Sequence, residues 1–160
     1  MRAKIKMQDY LKGKIMSLKE QLVEEMKQAM KSGDKVRLEV IRYLRSIIQN
    51  YEIDHGEQED EGVQRLVAQQ VKQSKEAIAE FKKGERQDLV DAEEAKLAVL
   101  MEYLPAQQSD EELEQVVRKV IADTGADQPG PIIGQVMAKV KGQADGGRVA
   151  QLVNQILHEN

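Results

Sequence analysis

At 160 residues the chain has room for one compact domain, or for a domain with a small appendage, and the complete lack of cysteine excludes a disulfide framework, a thiolate metal site and a cysteine nucleophile. Aromatics are 3% of the residues with no Trp, too few for a β-sandwich core or a base-stacking sheet, whereas 32% charged residues with little Gly and Pro suit an all-α fold. The formal net charge of −4 argues against indiscriminate nucleic-acid binding, and no apolar run approaches the ~20 residues that span a bilayer, so the expectation is a soluble, cytoplasmic protein without membrane contact.

Charge is unevenly spread, with +4 in residues 1–15 and −8 in the rest. Met16-Ser17-Leu18 reads as a second start, with Ser17 as N-cap and Glu20 three residues on. Residues 1–15 are therefore expected to be a leader or expression-derived segment, the alternative being a basic arm for nucleic acid or a membrane. From there the chain punctuates itself into helices. The first covers 17–32 on Leu18, Leu22, Met26, Ala29 and Met30, and Gly33 stops it. Asp34 caps the second, 35–54, whose apolar stripe includes Leu38, Ile41, Leu44, Ile48 and Tyr51. Val36, Val40 and Tyr43 widen that stripe beyond a third of the circumference, so this helix is expected to be central. His55-Gly56 ends it, and 57–61 reads as a solvated acidic loop. A third helix at 61–83 closes at Gly84. A fourth at 88–103, on Leu89, Leu97, Leu100 and Met101, is ended by Pro105. Short links favour antiparallel packing, giving an N-terminal helical bundle over 16–104.

Residues 105–108 read as a hinge. A small C-terminal subdomain of three short helices is expected over 109–160. A capping box from Ser109 to Glu112 opens the first. The turn Asp127-Gln128-Pro129-Gly130-Pro131 leads into the second, with Pro131 suited to its first position. Gly142 ends that helix and Asp145 caps the last.

Chemistry is sparse. Glu52 and His55 have the Glu-x-x-His spacing of di-iron bundles, but the second copy that such sites need is missing, and His158 sits near the terminus. No nucleophile elbow, Walker loop or dinucleotide fingerprint is present. The expectation is no metal, no cofactor and no catalytic residue in the chain by itself. Lys35, Arg42 and Arg45 share one polar arc of the second helix. Arg37 falls inside the apolar arc and must be paired or snorkel outward. Its expected partner is Glu93 or Glu94, and with Arg42 and Arg45 it forms a secondary candidate anion site. Gln70 and Ser74 intrude on the apolar face of the third helix and are expected to make interhelical hydrogen bonds. Lys139, Lys141, Gly142, Gly146, Gly147 and Arg148 surround a glycine-rich turn before a helix N-terminus, the ingredients of a phosphate seat. Asp145 competes for the same donors as N-cap.

Five ordered motifs carry a resemblance: Asp34-Lys35-Val36-Arg37-Leu38, Asn50-Tyr51-Glu52-Ile53-Asp54, Lys72-Gln73-Ser74-Lys75-Glu76-Ala77-Ile78, Glu102-Tyr103-Leu104-Pro105 and Lys141-Gly142-Gln143-Ala144-Asp145-Gly146. In order and spacing they resemble the YqeY-like (GatB/YqeY) family over about residues 17–157. One departure is Pro129-Gly130-Pro131, where the family pattern has a Met-Gly-Lys type stretch, which removes a lysine beside the candidate seat. The resemblance implies a helical bundle followed by a smaller helical domain similar to the tail of the B subunit of tRNA-dependent amidotransferases. Those enzymes amidate glutamate or aspartate misattached to tRNA, and their tail helps hold the tRNA while chemistry occurs in a separate cradle. Nothing in this sequence resembles the cradle, and fold does not transfer chemistry. The implied function is a non-catalytic accessory protein binding tRNA or a tRNA-handling enzyme through Lys139, Lys141 and Arg148. The alternatives are a protein–protein adaptor, and a carbon–nitrogen ligase with glutamine as amido-N-donor by family analogy alone.

Overall fold

A computed structural model describes residues 16–159; the leader expected at 1–15 lies outside the described residues. The fold is all-α, as composition and periodicity require: among the described residues there are seven helices and no strand. They divide into two compact units, one ending at Tyr103 and the other beginning at Leu104.

In the N-terminal unit α1 (Leu18–Ser32) starts on a reciprocal cap. Ser17 Oγ accepts from the Glu20 amide at 3.2 Å, and Glu20 Oε2 accepts from the Ser17 amide at 3.0 Å, satisfying two donors that the first turn leaves open. Gly33 leaves the helix at φ 74°, a conformation that costs a residue with a Cβ. Asp34 then accepts from the Arg37 amide at 3.1 Å to open α2 (Lys35–His55). α3 spans Asp60–Lys83 and α4 spans Gln87–Met101. α1 packs on α2 and α3 on α4, and α2 touches all three others. So does α3, and on α2 Ile41 and Leu44 are fully buried. The buried stripe of α2 is narrower than apolar residue types suggest: Tyr43 is 57% exposed, and Val36 is exposed as well.

Two boundaries depart from expectation. The acidic loop is shorter than 57–61, because Asp60 and Glu61 belong to the first turn of α3, where the helix dipole favours carboxylates. The loop is also tied down, with the Gln58 amide donating to Glu52 Oε1 at 2.8 Å. α4 ends at Met101 instead of 103, since the Glu102 and Tyr103 amides bond back only three residues, to the Val99 and Leu100 carbonyls. That tighter turn accompanies the burial of the Tyr103 ring.

In the C-terminal unit α5 (Asp110–Thr124), α6 (Pro129–Val140) and α7 (Gly146–Glu159) all pack on one another. Leu113, Val117, Ile132, Val136, Val149 and Val153 are fully buried in the shared core. α5 carries the expected capping box of Ser109 and Glu112. α6 starts at Pro129 instead of Pro131; both prolines then lie in the first turn, where the missing N–H has no partner to lose. The segment read as a hinge is held within this unit. Gln108 pairs its amide with the Gln143 carbonyl at 2.8 Å and its Nε2 with Gln143 Oε1 at 3.0 Å. Gln107 Nε2 donates to the Gly142 carbonyl at 3.0 Å, and the Pro105 ring lies where a Cβ on Gly142 would touch it at 3.6 Å.

Candidate functional site

The glycine-rich turn joins α6 to α7. Lys139 is in the last turn of α6, and Lys141 caps that helix in the left-handed region at φ 44° and ψ 55°. Both side chains are exposed, and neither makes an ion pair among the described residues. Gly142 follows at φ 83°. Gly146 and Gly147 form the first turn of α7, and a Cβ on Gly147 would stand 3.3 Å from Asp145 Oδ1. Asp145 is the N-cap, accepting from the Arg148 amide at 2.8 Å. The Arg148 guanidinium is also committed: Nε and Nη2 donate to Asp110 Oδ1 at 2.8 and 2.6 Å, joining α7 to the first turn of α5. The structure therefore brings Lys139, Lys141 and Gly142 together as a cationic turn. It gives Arg148 to Asp110, and one of the helix N-terminal donors to Asp145.

The three arginines of α2 separate. Arg37 is 22% exposed in its side chain and forms a bidentate pair with Glu102, at 2.5 and 3.2 Å. Asp34 lies at 3.4 Å and Glu25 at 4.0 Å. The Glu102 hydrogen bond raises the guanidinium pKa against the opposing effect of burial. Tyr103 donates its hydroxyl to Glu25 Oε2; burial, and then that carboxylate, push its phenol far above the ordinary range. The expected partners of Arg37 are corrected accordingly. Glu93 accepts from the buried Ser74 hydroxyl at 2.7 Å, the interhelical bond expected of Ser74, and Glu94 meets Lys82 at 3.4 Å. Arg42 Nη2 lies 3.8 Å from Met30 Sδ, and Arg45 Nη1 lies 3.3 Å from Met26 Sδ.

Glu52 and His55 do not converge as ligands. Glu52 Oε1 accepts from Lys19 Nζ at 2.8 Å and from the Gln58 amide. These hold its pKa below the ordinary value, the Gln58 bond first and Lys19 second. His55 stacks on Tyr51 with centroids 3.9 Å apart and places Nδ1 3.0 Å from the Tyr51 carbonyl. His158 Nδ1 lies 2.6 Å from the Asn154 carbonyl. Among the described residues no group of three or more His, Asp and Glu is placed to hold a metal ion. No helix among them is long and apolar enough to cross a membrane.

Two features escape sequence reading. One is the cluster of Glu25, Arg37, Glu102 and Tyr103, signalled only by the motif Glu102-Tyr103-Leu104-Pro105. The other is an open groove of about 540 Å³ in the C-terminal unit, lined by Gln107, Gln108, Gln115, Val116, Lys119 and Gln143 among others. No periodicity marks it.

A family model described as Yqey-like protein matches residues 19–157. The chain belongs to the YqeY-like family. Its relatives include "Altered inheritance of mitochondria protein 41, mitochondrial" of Pyrenophora tritici-repentis, 29% identical over 143 residues, covering 85% of this chain and 78% of the relative. The protein of the same name from Kluyveromyces lactis is 35% identical over 124 residues, covering 74% of this YqeY-like chain and 66% of the relative. That from Lachancea thermotolerans is 39% identical over 85 residues, covering 52% and 46%. These names correct the expected cytoplasmic location, since each relative is named as a mitochondrial protein. The expectation rested on absent cysteines and absent apolar spans, and neither separates the cytosol from the interior of an organelle.

Proposed function

We propose that this YqeY-like chain is a non-catalytic accessory protein that engages tRNA, or an enzyme that handles it, through the turn between α6 and α7. The observation that carries the reading is the cationic turn itself. Lys139 and Lys141 are exposed, hold no carboxylate among the described residues, and stand one residue apart where α6 bends into Gly142. Such a surface suits phosphate oxygens, which fix position and carry no sequence code. Arg148, paired with Asp110, is left out of it. The non-catalytic part draws on the sequence, in which no nucleophile elbow, Walker loop or dinucleotide fingerprint is present. The carbon–nitrogen ligase alternative rests on family analogy alone, and the adaptor alternative draws on the other unit. The relatives' names support a mitochondrial setting, checked by fractionating cells that express the chain.

The test is equilibrium binding of bulk tRNA at about 50 and 200 mM salt, with a duplex RNA competitor. It is run on the full chain and on one starting at Met16, because residues 1–15 carry +4 of their own. Lys139→Ala with Lys141→Ala is expected to weaken binding and to lower the salt slope by about 2, whereas Arg148→Ala leaves the slope unchanged. Unchanged affinity in the double variant rules the turn out.

A further inference from the structure

Among the described residues Arg37, Arg65, Arg86, Arg118 and Arg148 each hold a carboxylate. Arg42 and Arg45 do not, although carboxylates outnumber cations 28 to 24 in the chain. Their guanidiniums meet the sulfurs of Met30 and Met26 on α1, neutral and weak acceptors that leave the charge uncompensated. They also sit on a regular seam. Lys35, Leu38, Arg42, Arg45 and Gln49 follow at alternating steps of three and four residues, which places them along one side of α2. Ile53 extends the seam and is 79% exposed, and Met30 on α1 is 50% exposed. From Lys35 to Ile53 the seam runs about 27 Å, the length of a five-turn helix.

We propose that the α1–α2 face formed by Met26, Met30, Lys35, Arg42, Arg45 and Ile53 is a docking surface for an acidic amphipathic helix of a partner protein. Steps of three and four are what one helix presents to another. Methionines adapt their shape to an incoming apolar ridge. Arginine is weakly hydrated and suited to burial in an interface once a carboxylate arrives. A nucleic acid would satisfy the cations but leave Met30 and Ile53 without partners, and no aromatic ring lies in the seam for a base to stack on. Residues 1–15 carry a net +4, the same sign as the seam, so they do not supply its charge complement. The surface lies wholly within the N-terminal unit and does not rest on the tRNA reading.

The test places a photo-crosslinking benzoylphenylalanine at Gln49 in the full chain, inside cells, and maps the peptide that is captured. The expected adduct is nuclease-resistant and maps to a helix-forming segment with Asp or Glu flanking an apolar stripe. That segment, made as a synthetic peptide, is expected to bind the full chain and to lose at least about tenfold in affinity to Arg42→Glu with Arg45→Glu. A peptide with Lys in place of its Glu residues is expected to restore binding to that charge-reversed variant. Thermal melting confirms that the variant folds. If it does not, Ile53→Asp, an exposed position, is expected to give the same loss. An adduct to RNA, an adduct to a second copy of this chain, no adduct, or a peptide that binds wild type and variants alike overturns the proposal.

Discussion

Arg37 shows how a single side chain organises its surroundings. It sits within the apolar arc of α2, where an unpaired guanidinium is too costly to keep, and it resolves the problem with Glu102, Asp34 and Glu25. Arg37→Ala removes a bidentate, half-buried pair and leaves carboxylates facing one another, so the N-terminal unit is expected to lose about 2 kcal/mol in urea unfolding. Arg37→Lys is expected to recover only part of this, because an ammonium does not span both oxygens. The need for a partner was legible in the sequence; the partner's identity was not. Periodicity reports which arc a residue occupies, not which carboxylate 65 positions away reaches it. Ser74 was read more successfully, because a small hydroxyl on a buried stripe has few options other than the facing helix. The partner of Arg148 was hidden for the same reason: nothing in its glycine-rich neighbourhood announces Asp110, 38 residues earlier.

Helices were the legible scale. Ser17 and Ser109 each lead a capping box, and Gly33 and Gly125 each close a helix in the left-handed region. All four are local chemistry that sequence displays directly. What local chemistry does not display is which neighbours cover a face. Val36 and Tyr43 count as apolar in the pattern of α2, yet the helices around it leave that side open. At the end of α6 Lys141 takes a conformation better suited to glycine. Lys141→Gly is expected to stabilise the chain by roughly 0.5–1 kcal/mol in thermal melting, while lowering the salt slope of tRNA binding by about 1. A stabilising change that weakens binding would place the lysine there for its charge. The link from α1 to the end of α2 is expected to be sensitive to acid. Glu52 is held below its ordinary value of 4.5, so its stabilisation is complete above that value and is lost as pH falls through the lower folded one. Melting temperatures of wild type and Glu52→Gln should differ most near neutral pH and converge once the pH has fallen below that lowered value.

At the scale of the molecule, each unit carries its own buried core. Fragments 16–103 and 104–160 are each expected to show a cooperative thermal transition by circular dichroism; a broad, sloping melt from the smaller one would contradict this. The two-part division follows from the breaks in periodicity. The candidate surfaces were only half visible, because lysines and glycines announce themselves in sequence while their committed neighbours do not. Glu25 and Arg37 are synthesised early, but their partners Tyr103 and Glu102 follow 78 and 65 positions later, at the end of the unit. A ribosome must therefore deliver nearly the whole unit before its polar cluster closes. Until Tyr103 emerges, the nascent helices hold a glutamate and an arginine still waiting for their long-range partners.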